Sequence, residues 1–566
     1  MRFVAPLNIF FSFLILTFNL SSLATEIEPD WSANATIDPI VFPNGRANIY
    51  QWDEKSLIEK IEKGKKHALH YPVVPTGILL PARPMLKILS AKPGEPLFFF
   101  MKSILSLSDE FTNFNGFWDW LGLTPPDPQS GETYPMGVSV IHRDGAEGFT
   151  LSCAACHSSN LFGKPVFGMS NRFPRANLFF KHGQEVLERT NPTVFAMLTS
   201  SNSSEKKMIV DAKDHVVSVG IKKPATLGLD TSLAQVVMSL AKRAPTENAE
   251  RTPYDAAHPR ATIFDSIVSD SKPAVWWNVK YKTRWLSDGS ILSGNPIFTN
   301  FLWNEIGRGV DLPELLDWLS QNKDVVQELT TAVFATEPPK WKDFIGEHRI
   351  DLIRAKRGGF IYAQACSNCH GEYTKGWDLS SSQWETLVQE SLNQGKPAPL
   401  LIDTIRLNYS EKVKDVGTDD GRRRGMQALA QYLNPLQFSK NFGIVIEEQK
   451  GYVPPPLDGI WARFPYFHNN SIPSLCALMT PPAQRPVVYV SGKALDPERD
   501  YDQECLGYPE MERIPSEWKK DPEHVYDTRL PGMSNQGHYE RIFTKDGTER
   551  FTAEEKKDLI EFLKTL

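Results

Sequence analysis

Apolar patterning along the chain is clearest in three places. Leu7 to Leu20, "LNIFFSFLILTFNL", is apolar almost throughout. It follows the basic Arg2 and precedes small residues around Ala24, which is the order of a cleavable export signal. The run is short for a membrane span. Further on, Ile350, Ile353, Phe360, Ile361 and Gln364 fall near one face of a helix that runs into "ACSNCH". The closing stretch "FTAEEKKDLIEFLKTL" puts Leu559, Phe562, Leu563 and Leu566 on one stripe, opened by a Thr552/Glu555 capping box. Gly358 and Gly359 lie inside the earlier helix, where each costs about 1 kcal/mol against alanine. Their presence predicts a close helix crossing, with the closing helix as partner.

Other segments are less regular. "HRDGAEGFTLS", before Cys153, reads as a loop. Lys272 to Gly309 is dense in aromatics: Trp276, Trp277, Tyr281, Trp285, Phe298, Phe301 and Trp303. Burial accounts for most of them. "TEPPKWKDF" (Thr336 to Phe344) is a proline-containing boundary. The expected organisation is a signal peptide over 1–24, one domain with insertions over 25–335, a linker over 336–345 and a second domain over 346–566.

The chain has 566 residues, beyond what one ordinary core holds. Its net charge of -6 offers no basic surface for nucleic acid. After signal removal no long apolar run remains to cross a bilayer, so the expected location is periplasmic or secreted. In such an oxidising compartment a disulfide persists. Four of the six cysteines sit in two motifs, and the other two, Cys476 and Cys505, are the candidate bridge.

Those motifs are "CAACH" (Cys153, Cys156, His157) and "CSNCH" (Cys366, Cys369, His370). A structural zinc site takes four ligands, usually as two pairs close in sequence, and these pairs lie far apart. A redox dithiol needs only Cys-x-x-Cys and gives no reason for a histidine behind each pair. Covalent haem needs all three residues: two thiols add to the haem vinyl groups, and the histidine reaches the iron from one face. Two covalently bound haem c groups are therefore expected, with His157 and His370 as iron ligands. A helix that leads into such a motif and is crossed by a C-terminal helix is the cytochrome c plan.

"PPPLDGIWARFPYFHNNSIPSL" (Pro454 to Leu475) resembles the turn segment of the bacterial dihaem cytochrome c peroxidase and methylamine dehydrogenase maturase superfamily. "VGTDDGR" (Val416 to Arg422) resembles its Gly-Thr-Asp motif. "PPAQRP" and the closing "LPGMSNQGHYERIF" with the final helix look most like the rubber-oxygenase branch. Asn470 stands where the family has glycine; asparagine tolerates the left-handed backbone such a turn needs. The resemblance implies a mainly α fold of two cytochrome c-like domains, with long loops and little β structure. It implies an open, reactive N-terminal haem, held by Cys153, Cys156 and His157. It implies a second haem that relays electrons and takes its distal ligand from "SNQGH", which makes His538 a metal ligand, with Met479 as the rival. His468 is expected to hold its turn, and "DDGRRRG" to be a solvated loop. Trp276 and Trp277 are candidates for the path between haems. The implied activity is a peroxidase-like oxidoreductase acting on peroxide or dioxygen, with a small cytochrome or copper protein as electron donor. The alternatives are a dioxygenase that cleaves an unsaturated hydrocarbon such as polyisoprene, and a plain electron-transfer cytochrome.

Overall fold

The computed structural model describes residues 29, 31, 36–37, 46–92, 94–98, 114–292 and 294–566. The signal segment over 1–24 lies outside them. Among the described residues no helix is long and apolar enough to cross a membrane.

Helices predominate, but the fold is mixed rather than mainly α. Among the described residues five small antiparallel sheets of two or three strands interleave with the helices. One of them corrects the reading of "HRDGAEGFTLS" as a loop. Val138–Arg143 and Ala146–Leu151 form a hairpin whose turn is Asp144-Gly145. Both turn residues have positive φ, 52° and 79°, the two-residue geometry that matches strand twist and selects Asp-Gly. The second strand ends at Leu151, so a rigid ribbon delivers the chain to Cys153.

The crossing of Leu352–Ala365 with Ala553–Lys564 is present. A Cβ on Gly358 would run into the Asp558 carbonyl, whereas one on Gly359 would meet the Phe562 ring at an ordinary 3.4 Å. The capping box forms, with Glu555 N–H donating to Thr552 and Thr552 N–H to Glu555. Leu559, Phe562, Leu563 and Leu566 are all buried. The buried face of the first helix is different from the expected one. It carries Ala355, Gly358, Ile361 and Tyr362, while Ile353 and Phe360 are more than two-thirds exposed. Close approach needs small residues at the contact, so the glycine stripe, not the bulkiest side chains, marks the packed face. Gly358→Ala should therefore destabilise by about 1–3 kcal/mol through overpacking, although alanine is the better helix former. Gly359→Ala should be neutral or stabilising. Urea titration of the two variants reads the contrast.

Cys476 and Cys505 are joined, with Cα atoms 5.0 Å apart. The bridge closes a loop of separation 29 next to a backbone bond from Leu475 N–H to the Cys505 carbonyl. Replacing both cysteines by serine should lower stability by about 3 kcal/mol, measured as a fall in the urea midpoint.

Among the described residues the two largest hydrophobic cores each draw on both sides of residues 336–345. The first joins Leu233, Phe301 and Leu329 to Met426, Leu429 and Ile446. The second joins Leu161, Met169 and Trp277 to Trp461, Tyr501 and Leu559. The helix Gly421–Leu433 packs on Leu233–Ala241, so segments distant in sequence share one interior.

Candidate functional site

Both Cys-x-x-Cys-His motifs open onto one cavity of about 560 Å³. Cys153, Cys156 and His157 line one part of it, and Cys366, Cys369 and His370 another.

Each motif is a tight turn. At the first, His157 N–H donates to the Cys153 carbonyl at 3.1 Å, and the Cys156 carbonyl accepts from Asn171 N–H at 2.9 Å. At the second, His370 N–H donates to the Cys366 carbonyl at 2.9 Å. The two histidines are held alike. His157 Nδ1 donates to the Ala274 carbonyl at 2.9 Å, and His370 Nδ1 to the Pro455 carbonyl at 2.7 Å. A carbonyl can only accept, so each Nδ1 carries the proton and each Nε2 keeps a lone pair for a metal. Burial pushes both imidazoles down to about 4, which keeps them neutral at ordinary pH. Burial also raises the Cys153 thiol to about 11, the Cys366 thiol to about 12 and the Cys156 thiol further still. These thiols stay protonated until chemistry is done on them.

His538 faces His370, with ring centroids 6.1 Å apart and planes at 51°. A metal held by one imidazole nitrogen on each side, with a bond of about 2 Å, would put the ring centres about 6 Å apart. The His538 Nδ1 atom is buried without a hydrogen-bond partner, and burial, with His370 beside it, pushes the ring down to about 3. Three quoted motifs meet to hold this loop. His538 N–H donates to the Val416 carbonyl at 2.7 Å. Gly537 is pressed against Gly417 and Thr418, where a Cβ would clash. Arg485, of "PPAQRP", is buried and donates to the carbonyls of Asn535, Gly537, Leu478 and Thr480. Met479 lines the same cavity, but the ring facing His370 is that of His538.

On the first motif the neighbour of His157 is Trp276, stacked on the imidazole at 4.9 Å and 29°. Trp276 also holds the motif through its backbone, donating N–H to the Gly168 carbonyl at 2.8 Å, while Gly168 N–H donates to the His157 carbonyl. Trp277 points the other way, fully buried in the second core, with Nε1–H donating to the Asp458 carbonyl at 3.0 Å. Adjacent tryptophans thus pack into different cores, and of the two Trp276 lines the cavity.

Charge around the cavity is one-sided. Lys272, Lys282, Arg308, Lys414, Arg422 and Arg463 line it, against the single carboxylate of Asp230. Lys272, pushed well down by burial with Arg463 and Arg172 nearby, donates to the carbonyls of Arg463 and Pro465. Arg422 bonds Ser271 at 2.8 Å, and its Nε has no hydrogen-bond partner. This corrects the solvated-loop reading of "DDGRRRG": Gly421 to Leu433 is a helix and Arg422 is buried. Behind the wall Arg308 has buried Glu305 at 3.4 Å and Arg422 has buried Asp288 at 3.7 Å, so part of this charge is met within the protein; the excess of cations on the cavity face suits an anionic ligand. A haem, with its two propionates, is such a ligand, and the thiols, imidazole nitrogens and cations together fit it. No signal in the sequence singled out Lys272, Lys282, Arg308 or Arg463. His468 holds its turn as expected: Nε2 lies 3.0 Å from the Tyr452 hydroxyl and the rings stack at 4.3 Å. Asn470 has φ 61°, the left-handed turn position its asparagine allows.

Residues 451–490 match the family model described as RoxA-like, cytochrome c-like. The segment includes Pro455, His468, Asn470 and Met479. A cytochrome c-like domain carries covalently bound haem c. Two proteins of Sinorhizobium fredii (strain NBRC 101917 / NGR234) are similar over parts of their length. Protein y4iJ is 27% identical over 269 residues, which is 40% of this chain and 41% of that protein. Protein y4iM is 37% identical over 126 residues, which is 20% of this chain and 27% of that protein. The chain thus spans less than half of either.

Proposed function

We propose that this protein is an exported, dihaem c-type cytochrome redox enzyme. In this reading a haem at Cys153, Cys156 and His157 reacts with hydrogen peroxide or dioxygen, and a haem at Cys366, Cys369, His370 and His538 relays electrons. The observation that carries it is that both motifs open onto one cavity while, among the described residues, His370 faces a second imidazole and His157 does not. When bound, such a group supplies iron-centred redox chemistry, its reactivity set by the ligand opposite the histidine and by the pocket.

The chain's own residues supply the rest. The Ala274 and Pro455 carbonyls fix the Nδ1 tautomer, so Nε2 is the coordinating atom on each ring. The cavity cations neutralise propionates and orient the groups that carry them. Trp276, against His157, and Trp277, in the second core, make a two-residue bridge for an electron. Trp277→Phe should leave ligand binding at the first haem intact and slow reoxidation of the second, read by stopped-flow absorbance.

A second reading is an oxygenase that cleaves an unsaturated hydrocarbon such as polyisoprene. The RoxA-like match over 451–490 favours it, as do the apolar residues Phe301, Leu329 and Val333 on the cavity wall. A plain electron carrier, with both haems six-coordinate, is the third. Offering the purified protein peroxide with a reduced small cytochrome, and rubber latex with dioxygen, separates the three. Peroxide turnover supports the first, chain-cleavage products support the second, and no turnover with no high-spin haem signal leaves the carrier.

A further inference from the structure

Tyr452 and His468 both line the cavity, and they meet at its wall. The Tyr452 hydroxyl lies 2.8 Å from the Asp419 carbonyl, to which it donates, and 3.0 Å from Nε2 of His468, which can accept its proton instead when the ring proton is on Nδ1. Of these only the imidazole can take a proton. The other tyrosine on the cavity, Tyr466, directs its hydroxyl at the carbonyls of Leu506 and Ile460, neither of which is a base.

Short backbone runs tie this pair to both motifs. Lys272 N–H donates to the His468 carbonyl at 2.8 Å, and two residues on, the Ala274 carbonyl accepts from His157. Three residues after Tyr452, the Pro455 carbonyl accepts from His370. The pair therefore sits at the junction of the loops that fix the two histidines. Phenol oxidation at neutral pH is limited by the fate of the proton, because a phenol that has lost an electron is a far stronger acid than an imidazolium. A neutral imidazole 3.0 Å away removes that limit, and burial, with Arg422 and Lys272 nearby, keeps His468 neutral beforehand.

We propose that Tyr452, hydrogen-bonded to His468 in its Nδ1–H tautomer, is a proton-coupled redox residue between the two haem-binding motifs. The inference rests on the reading above, in which a haem at the first motif is oxidised by hydrogen peroxide. The oxidised centre takes one electron from Tyr452, and the O–H proton passes to Nε2 of His468. The products are a neutral tyrosyl radical, an imidazolium and a haem centre reduced by one electron. An electron from the external donor later reduces the phenoxyl, and the proton returns from His468 to its oxygen.

The test uses the full chain loaded with both haems, mixed with hydrogen peroxide, frozen within seconds and read by electron paramagnetic resonance. The expected result is an organic radical that narrows when tyrosine is ring-deuterated and shows coupling to 15N-labelled histidine. Tyr452→Phe, which keeps the ring stacking, should lose the signal while peroxide still consumes the high-spin haem signal. His468→Gln should shorten its lifetime. A radical that persists unchanged in Tyr452→Phe overturns the inference and leaves the proposed function standing. Should that variant not load haem, the labelled wild type decides: a tyrosyl signal without histidine coupling, or no tyrosyl signal, overturns the proposal. If peroxide leaves the wild-type haem signals untouched, the functional reading fails and the inference with it.

Discussion

With Cys153 and Cys156 both changed to alanine, covalent haem per chain should halve, and binding of carbon monoxide by the reduced protein should disappear. The two losses belong together if the first motif holds the open haem. His157 has Trp276 stacked against it and no facing imidazole among the described residues, whereas His370 has His538 opposite. An iron with only one protein ligand binds carbon monoxide; one gripped by two imidazoles does not. The second motif should load normally, because its turn is held by the Leu352–Ala365 helix, Tyr362 and Pro455, none of which belongs to the first. Haem content by alkaline pyridine absorbance and carbon monoxide difference spectra make the measurement. Carbon monoxide binding that survives in the double variant would reverse the roles of the two sites.

Much of this site could be read from residue order alone, because its chemistry constrains neighbours in sequence. Cys-x-x-Cys-His is local, and so is the capping box at Thr552. The paired glycines 358 and 359 announced a helix crossing, since only a contact too close for a side chain justifies their cost. Where the reading went wrong, tertiary context decided. Ile353 and Phe360 lie on the exposed side of their helix, because the small residues took the packed side. Trp276 and Trp277 looked like one aromatic block, yet they serve different cores. The Asp144-Gly145 hairpin was within reach: Asp-Gly between alternating strands is its signal, and the polar residues around it masked the alternation.

The cation lining was not legible in the same way. Lys272, Arg308, Arg422 and Arg463 come from four separated segments, and nothing in a linear sequence separates a buried cation from a solvated one. What brings them together is the exchange of elements between the two cores. The quoted motifs behave differently. "VGTDDGR", "PPAQRP" and "SNQGH" are distant in sequence and converge on one loop, and their shared task, holding His538, becomes visible only in three dimensions.

That loop carries the second large expectation. His538→Ala should turn the haem at the second motif from low-spin to high-spin, seen as a shift of the oxidised spectrum and a new high-spin resonance. The His370 and His538 rings are 6.1 Å apart, which leaves room for one metal ion and little else. Backbone geometry complicates the alanine variant. His538 has φ 53°, and a non-glycine residue in that region costs about 1–2 kcal/mol. The cost is present in the wild type, where ligation by His538 would offset it; in alanine it would be uncompensated. His538→Gly removes the ligand without the strain. Both variants should show the same spin change, and the glycine form should be the more stable by about 1 kcal/mol in urea titration. Met479→Ala is the contrasting test. The Met479 side chain is buried on the same cavity, so its truncation should lower stability by about 2–5 kcal/mol and leave the spin state alone. A spectrum unmoved by either His538 variant and changed by Met479→Ala would make methionine the ligand, raise the potential expected for that haem, and favour the peroxidase-type arrangement.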